Sequence, residues 1–260
     1  MTPTSGPGDQ FVQSLARGLA VIVAFDDEHA EMTLAQVAQR TGYSRATARR
    51  FLHTLVELGY MRTDGKAFAL TPQVLRLGTA YLSGLGLPEI AQPHLERLSG
   101  ELGESTSAAV LDGTDIVYVA RVATRRIMSV GISVGTRFPA YATSMGRVLL
   151  AALDDATLDA YLEHAELRPL TPRTLHDAQT LREELRRVRE QGWALVDQEL
   201  ERGLTSLAAP IRDASGNVVA AINVSQATID GEPQIDAARM PLQETAAAIG
   251  RDLAAQDAAG

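Results

Sequence analysis

The chain has 260 residues, which is enough for two ordinary domains, and its 45% hydrophobic content is typical of globular proteins. It contains no cysteine, which excludes disulfides, thiolate metal sites and a cysteine nucleophile and favours a reducing cytoplasm. No apolar run approaches the ~20 residues that span a bilayer, so we expect a cytoplasmic protein without membrane attachment. The formal net charge of −8 disfavours indiscriminate coating of nucleic acid.

The first residues predict a short tail followed by a helix. Residues 1–10, MTPTSGPGDQ, are polar and contain proline and glycine, which indicates a disordered tail rather than a signal peptide. In residues 11–25, four apolar side chains recur at helical spacing, and we expect them to pack inward. These are Val12, Leu15, Leu19 and Ile22.

Residues 33–58 predict a helix-turn-helix. Thr33 fits the N-cap of a first helix, Gly42 fits the positive φ that ends it, and Ser44 fits the N-cap of a second helix. The inward face of the second helix is predicted to carry Ala48, Phe51, Leu52, Leu55 and Leu58. Its outward first turns carry Arg45, Thr47, Arg49 and Arg50, at the positions that contact base edges in such motifs.

A β-hairpin follows, in which Asp64-Gly65 forms the turn between two short β-prone segments. This hairpin predicts the wing of a winged helix, with Arg62 and Lys66 available to DNA phosphates. Between residues 40 and 66, six basic residues oppose two acidic ones, so the local charge is +4. Positive charge is thus concentrated where DNA phosphates would be neutralised. Winged helices also bind proteins, and that alternative stays open.

The chain is expected to divide after the wing. Residues 11–72 form the predicted winged helix-turn-helix domain, residues 73–87 a linker helix and residues 88–256 a second domain. The linker carries more apolar side chains than a solvated connector needs, and we interpret this excess as favouring dimerisation.

The second domain is predicted to be α+β with a largely antiparallel sheet, because its strands are joined mostly by short turns. Predicted helices cover residues 88–102, 144–153, 154–163, 178–191 and 236–254. Predicted strands cover residues 106–111, 116–122, 127–134, 193–197, 206–212 and 218–224.

The helix that begins at Ser144 offers a site for a small anion. The first N–H groups of a helix have no intrahelical partner, so those of Ser144, Met145 and Gly146 can receive a carboxylate. The alternative is that Thr143 or Ser144 caps its own helix and that no ligand binds. The residues alone leave both interpretations open.

Catalysis has no candidate residues in this sequence. No serine-hydrolase, P-loop or zinc-protease motif occurs, and the five histidines lie in separate predicted elements. We therefore predict a protein that is not an enzyme and needs no metal or cofactor. Two classes of function remain: a transcription regulator that responds to a small molecule, and a winged-helix protein that binds a protein partner or serves an architectural role on DNA.

Four stretches of the sequence together resemble a known family. With VQSLARGLAVI, LAQVAQRTGYSRATARRFLHTLVELGY, LTPQVLRLG and GTRFPAYATSMGRVLLA, the chain resembles the IclR family of bacterial transcription regulators over residues 11–254. It is especially similar to the branch that controls protocatechuate, 4-hydroxybenzoate and β-ketoadipate catabolism. The resemblance implies a winged helix that binds double-stranded operator DNA, a linker helix and a GAF-like effector-binding domain. It also implies a homodimer or tetramer, and contact with RNA polymerase if the protein is an activator.

The resemblance also implies where an effector would bind. In the family, the carboxylate of the effector lies against the helix start that corresponds to Ser144. The effector-binding positions carried onto this chain are Ile127, Val130, Ser144, Met145, Leu204, Ser206 and Asn223. Some members have an acidic residue where this chain has Val196, which implies a more apolar pocket, suited to an aromatic acid or to a longer oxoacid such as β-ketoadipate. A register error of one residue would return Asp197 to the pocket. Arg137 is a further candidate countercharge, although an arginine beside a turn is more often solvated.

Overall fold

The computed structural model describes residues 10–26, 28–78, 86–124, 132–227 and 236–257. The chain forms two units, residues 1–81 and residues 82–260, each with its own core. Within the described ranges, no helix has both the length and the apolar character that crossing a membrane requires.

The first unit combines three helices with a small antiparallel sheet. The helices are α1 (Gln13–Val23), α2 (Leu34–Thr41) and α3 (Arg45–Glu57). The strands are β1 (Glu31–Thr33), β2 (Met61–Thr63) and β3 (Ala67–Leu70), in the order β1-β3-β2. The hairpin of β2 and β3 is the predicted wing. Strand β1 was absent from the sequence prediction, because three residues give too short a pattern to detect.

Local hydrogen bonds fix the ends of the two central helices. The hydroxyl of Thr33 accepts the N–H of Gln36, and the side chain of Gln36 accepts the N–H of Thr33, so the two residues form a capping box. Gly42 ends α2 with a φ of 70°, a conformation that favours glycine. The hydroxyl of Ser44 then accepts the N–H of Thr47 and begins α3. These three positions are where the sequence predicts the helix ends.

The predicted inward face of α1 is wrong for three of its four residues, since Ile22 alone of the four packs against the core. Val12, Leu15 and Leu19 are 59%, 64% and 49% exposed, whereas Val21 is completely buried against the other helices. Helix α1 is apolar on more than one side, so periodicity alone did not determine which side faces the core. Leu58, also predicted to face inward, is 57% exposed because α3 ends at Glu57.

The predicted linker helix lies only partly within the described residues. Residues 72–74 form one turn of 3-10 helix, which the hydroxyl of Thr71 caps. Leu75 and Leu77 of the predicted apolar stripe are exposed, and residues 79–85 lie outside the described residues. The linker helix and its role in dimerisation therefore stay predictions.

The second unit contains a six-stranded antiparallel sheet with the order β6-β5-β4-β9-β8-β7. Its strands are β4 (Ser105–Asp112), β5 (Asp115–Val122), β6 (Arg137–Pro139), β7 (Ala194–Asp197), β8 (Leu204–Arg212) and β9 (Val218–Ala227). Its helices are α4 (Leu87–Leu102), α5 (Ser144–Ala151), α6 (Asp155–His164), α7 (Ala178–Gln191) and α8 (Asp236–Asp257).

Helices cover both faces of this sheet. Leu95 of α4 and Leu242 of α8 pack with Ile222 of β9 on one face. Val148 of α5 and Leu185 of α7 belong to a second core on the other face. The two faces alternate along the strands, as the pleat requires, except where the pairing register shifts in β5 and β8. The predicted α+β class and antiparallel sheet are confirmed.

The third predicted strand of this unit lies mostly outside the described residues. Residues 125–131 lie outside the described residues, and residues 132–134 are not in a strand. Gly135 has a φ of 91°, and the N–H of Ser133 donates to the hydroxyl of Thr136 in a turn. The chain then pairs with β5 through β6, which begins at Arg137. The turn at residues 133–136 and the strand β6 after it were not predicted from the sequence.

Candidate functional site

The first unit presents a basic face around α3. The side chains of Arg45, Arg49 and Arg50 are exposed, and none of them forms an ion pair within the described residues. The opposite side of α3 packs in the core of the first unit, where Ala48 and Leu52 are completely buried. Thr47 is half-buried, and its hydroxyl accepts a hydrogen bond from that of Ser44 at 2.9 Å. The arginines are therefore free to contact DNA, whereas Thr47 also completes the cap.

The wing is rigidified at its tip by Asp64. The carboxylate of Asp64 accepts the N–H groups of Lys66 and Ala67, both at 2.8 Å, and these bonds lower its pKa. The side chain of Lys66 is exposed. Arg62 is exposed too, but it pairs with Glu31 on β1 at 2.7 Å. Contact of Arg62 with a phosphate would thus replace an existing, solvent-exposed ion pair.

The second unit contains a small, partly open cavity between α5 and the sheet. Its volume is about 20 Å³, room for about one water molecule. The described residues that line it are Tyr118, Arg121, Ile132, Ala142, Thr143, Ser144, Val196, Leu200, Leu204, Ser206, Asn223 and Ser225. An organic acid would fit only if the walls moved apart.

Helix α5 begins at this cavity. The hydroxyl of Thr143 accepts the N–H of Gly146 at 3.1 Å and caps the helix, while the N–H groups of Ser144 and Met145 precede the first intrahelical bond. The hydroxyl of Ser144 lies 2.8 Å from that of Ser206 on β8. Thr143 can therefore cap the helix while the N–H of Ser144 stays available to an anion.

Close packing fixes the position of this helix start. A Cβ on Gly146 would lie 2.1 Å from the carbonyl oxygen of Ala140, so only glycine allows the turn of residues 140–142 to approach α5. The next residue of the helix, Arg147, has a completely buried guanidinium that pairs with Glu199 and donates to the carbonyl of Tyr141. Glu199 precedes Leu200 of the cavity wall.

Some of the predicted effector-binding residues line the cavity and others do not. Leu204, Ser206 and Asn223 line the cavity together with Ser144. The side chain of Met145 does not, because it is 1% exposed and packs in the core between α5 and the sheet. Met145 can therefore offer only its backbone N–H. The predicted positions Ile127 and Val130 lie outside the described residues.

The register of β7 determines which of two neighbouring residues, Val196 or Asp197, faces the cavity. Val196 lines the cavity and is 3% exposed. Asp197 points the other way, where it pairs with Arg173 and accepts a hydrogen bond from Thr205 at 2.6 Å. Arg137, the other candidate countercharge, does not line the cavity. It is exposed and bonds to Asp112 and Asp115, which raise its pKa.

Arg121 is the charged residue of the cavity, and the sequence did not predict it there. Tyr118 pairs with Ala109, but Ala120 pairs with Ala108, so Val119 is an extra residue in a β-bulge. Regular alternation would put residues 118 and 121 on opposite faces of β5. The bulge instead brings both side chains to the cavity. Periodicity does not reveal such a bulge, and the only sequence signal was an arginine within an otherwise apolar strand.

Among the described residues of the cavity, two buried polar atoms have no hydrogen-bond partner. The guanidinium of Arg121 donates to the hydroxyl of Ser107 at 3.0 Å, but its buried Nε has no hydrogen-bond partner. The side-chain oxygen of Asn223 is also buried without a partner, although its amide nitrogen donates to Ser225 at 2.9 Å. Burial lowers the pKa of Arg121 and raises the pKa of Tyr118 to about 12.

The described residues were compared with the spacing that metal ligands require. No cluster of three or more histidine, aspartate or glutamate side chains with the spacing of metal ligands occurs in the described ranges. The cavity contains hydroxyls, an amide and a guanidinium, which bind polar groups but include no general base.

Both units match known protein families. Residues 14–65 match the IclR helix-turn-helix domain, and residues 79–251 match the bacterial transcriptional regulator IclR C-terminal domain.

Three known proteins resemble most of the chain. It is 55% identical over 216 residues to the Pca regulon regulatory protein of Pseudomonas putida, covering 83% of this chain and 74% of that protein. It is 39% identical over 231 residues to the p-hydroxybenzoate hydroxylase transcriptional activator of Acinetobacter baylyi, covering 87% and 85%. A crystal structure of an IclR homolog from Microbacterium hydrocarbonoxydans, complexed with 4-hydroxybenzoate, superimposes with a TM-score of 0.83 at 27% identity, covering 93% of this chain and 99% of that one. The chain thus belongs to the IclR family of bacterial transcriptional regulators.

Proposed function

We propose that this regulator reads operator DNA with α3 and the wing, and that a small carboxylic acid bound at the start of α5 changes its affinity for that DNA. One observation carries the proposal: a single chain combines an exposed basic recognition helix with a cavity that has polar and apolar walls and lies beside a helix N-terminus. In the DNA-binding role we place Arg45, Thr47, Arg49, Arg50, Arg62 and Lys66.

The effector class follows from the chemistry of the cavity and from the relatives. N–H groups at the start of α5 attract a carboxylate, and the hydroxyl of Ser206 can bind one of its oxygens. Leu204 and Val196 supply apolar walls, while Asn223 supplies an amide for a further polar group. An aromatic acid or an oxoacid similar to β-ketoadipate fits this combination, and the names of two relatives refer to hydroxybenzoate.

We also propose that the protein acts as a homodimer or tetramer in the cytoplasm and is not an enzyme. The exposed apolar side chains of α1 support the homodimer, because an isolated surface rarely presents Val12, Leu15 and Leu19 in one stripe. If the protein is an activator, RNA polymerase is a further partner.

Binding experiments on the full chain test this function. An operator is first selected from random DNA, and fluorescence anisotropy then compares it with scrambled DNA while protocatechuate, 4-hydroxybenzoate or β-ketoadipate is titrated. We expect at least one acid to change operator affinity by about 5- to 150-fold, the usual range of allosteric coupling. Operator preference without any response to an acid would contradict the effector role.

A matched pair of variants tests the position of the site. Ser206→Ala removes a cavity hydroxyl, and Ser215→Ala removes one from an exposed turn between β8 and β9. Loss of a hydrogen bond to a charged group should weaken acid binding by about 10- to 100-fold in the first variant only. Operator affinity without ligand should stay unchanged in both. Equal acid affinity in the two variants would place the effector elsewhere.

The second candidate is a winged-helix protein that binds a protein partner or plays an architectural role on DNA. The exposed, unpaired arginines of α3 suit either candidate, but the polar cavity serves no purpose in the second. Binding that ignores DNA sequence and every acid in the panel would favour this alternative.

A further inference from the structure

Two buried charges pair beside the cavity. Within the described ranges, Arg147 and Glu199 are the two charged residues that are buried, with exposed fractions of 1% and 7%. The guanidinium of Arg147, on α5, pairs with the carboxylate of Glu199, in the connection between β7 and β8. The desolvation of two charges offsets most of their attraction, so such a pair contributes little net stability. What the pair fixes is the arrangement of the elements that carry the two charges.

Glu199 ties two loops of the second unit together. Its carboxylate accepts the N–H of Leu175 at 2.9 Å, and its backbone carbonyl accepts the hydroxyl of Thr174 at 2.6 Å. Bonds from both the side chain and the backbone of one residue hold the connection between β7 and β8 against the segment that precedes α7. The two loops therefore move as one body.

Arg147 joins this body to the opposite wall of the cavity. Its Nε donates to the carbonyl of Tyr141 at 3.1 Å, in the turn before α5. Ser144, at the start of α5, lines the cavity on one side, and Leu200, directly after Glu199, lines it on another. Because the cavity has room for about one water molecule, an acid needs its walls to part. Separating these two walls would draw the carboxylate away from the guanidinium.

The backbone beside Glu199 is strained. Gln198 has a φ of 58°, and among the described residues it is the one residue other than glycine with a positive φ. Such a conformation persists only where the surroundings impose it. Here the N–H of Gln198 donates to the carbonyl of Leu204 at 2.7 Å, and its carbonyl accepts the hydroxyl of Thr171 at 2.7 Å. Strain at this point favours a second arrangement of the loop, which the ion pair opposes.

We propose that the Arg147–Glu199 pair positions the cavity walls in a narrow arrangement, and that a bound acid selects a wide arrangement in which the pair is separated. This inference rests on the proposed function and adds what holds the walls together. Both are positioning residues, since neither is among the described residues that line the cavity. A ligand that binds only a minor arrangement loses apparent affinity in proportion to its rarity. Removing the pair should therefore strengthen acid binding.

Replacing both charges together tests the proposal. The variant carrying Arg147→Met and Glu199→Gln lacks the ion pair, while the glutamine can still accept the N–H of Leu175. Calorimetry with protocatechuate, 4-hydroxybenzoate and β-ketoadipate measures acid binding. We expect the acid that acts on the unmodified protein to bind at least about fivefold more tightly, the lower end of the usual allosteric range.

Operator affinity is the readout that a merely structural pair would not move. Without acid, anisotropy should give the variant an operator affinity at least halfway, on a logarithmic scale, toward that of the acid-saturated unmodified protein. The reason is that the variant already populates the wide arrangement without ligand. Addition of acid should then change operator binding less than it does in the unmodified protein.

A second ion pair of the same unit provides the matched control. Arg182 of α7 pairs with Asp159 of α6, and neither is among the described residues that line the cavity. The variant carrying Arg182→Met and Asp159→Asn should keep the acid and operator affinities of the unmodified protein. Melting curves establish that each variant folds. If the Arg147 and Glu199 variant does not fold, Glu199→Asp, which shortens the reach of the carboxylate, should shift both affinities in the same direction.

The outcomes distinguish this inference from the proposed function. Unchanged acid and operator affinities in the folded variant would show that the pair is merely structural. Weaker acid binding with unchanged operator affinity would show that the pair helps to form the site instead of holding its walls together. Either result overturns the inference while the effector role stands. If no acid changes operator binding by the unmodified protein, the proposed function fails and the inference fails with it.

Discussion

At the scale of single residues, Gly146 determines whether the start of α5 can form. Because a Cβ there would lie 2.1 Å from the Ala140 carbonyl, Gly146→Ala should shift the helix away from the turn of residues 140–142. We expect a loss of about 1–3 kcal/mol or more in stability of the second unit, as for other overpacked sites. Urea unfolding monitored by the fluorescence of Trp193, the only tryptophan, measures this loss.

Gly100 provides the matched control for this substitution. It also lies in a helix, α4, but a Cβ there would contact nothing within 4 Å. Gly100→Ala should leave stability unchanged or raise it by up to about 1 kcal/mol, because alanine is the better helix former. Equal effects of the two substitutions would show that the approach of Ala140 to α5 does not matter.

Base reading is a second prediction at this scale. Arg45 and Arg49 project from the first two turns of α3, so replacing either by alanine should reduce discrimination at one or two operator positions. A lost bidentate contact with guanine costs about 1–3 kcal/mol. Anisotropy with a set of single-base operator variants measures the effect, and Lys66→Ala serves as the comparison. Loss of affinity that is uniform across all variants would place the arginines on phosphates instead.

The sequence predicts individual residues well where a single local rule governs them. The capping residues Thr33 and Ser44 and the left-handed Gly42 follow from such rules, and the structure has all three as expected. The position of Arg121 does not follow from a local rule, because the bulge at Val119 reverses the alternation of β5. The side chain of Met145 packs in the core, so the role that the resemblance implies for this position is left to its backbone N–H.

At the scale of elements, two aspartates act as N-caps of neighbouring helices. Asp154 accepts the N–H of Thr157 at the start of α6, and Asp177 accepts that of Thr180 at the start of α7. These bonds lower the pKa of both carboxyls below their usual value of 3.8. The stabilisation is thus fully present above the unfolded pKa and is lost as the pH falls through the lower, folded pKa.

Asparagine at both positions should uncouple this stabilisation from pH. Asparagine accepts the same bond but does not titrate, so the variant carrying Asp154→Asn and Asp177→Asn should lose less melting temperature between pH 5 and pH 3. Melting curves from Trp193 fluorescence test this expectation. Asp159→Asn is the control, since that carboxylate pairs with Arg182 and caps no helix. Parallel acid profiles for the cap variant and the unmodified protein would contradict the prediction.

Elements were predictable from the sequence where periodicity and turn signals agreed. Helix α7 begins and ends at the predicted residues, and the Asp-Gly turn of the wing lies where expected. Strand β1 was missed because its three residues become a strand only by pairing with β3, a contact that no local pattern records. Strand β6 was missed for the same reason, because its three residues form a strand by pairing with β5.

At the scale of the whole molecule, the exposed side of α1 predicts self-association. Replacing Leu15 and Leu19 together by aspartate should prevent burial of the stripe in a second copy, so the variant should be a monomer where the unmodified protein is a dimer. Sedimentation velocity at micromolar concentration measures the difference. Leu170→Asp, a similar change at an exposed leucine of the second unit, should have no effect. A double variant that still dimerises would assign the dimer contact to another surface.

The order of the strands has a consequence for synthesis of the protein. The three helices and the sheet that form the core of the first unit lie between Gln13 and Leu70, so this unit can fold as soon as that stretch has left the ribosome. The sheet of the second unit cannot form so early, because its central strand β4 pairs with β9, which begins at Val218. A nascent chain should therefore acquire the ability to bind DNA before it can sense a ligand. Any product terminated between these two points would carry a DNA-reading unit that no effector could control.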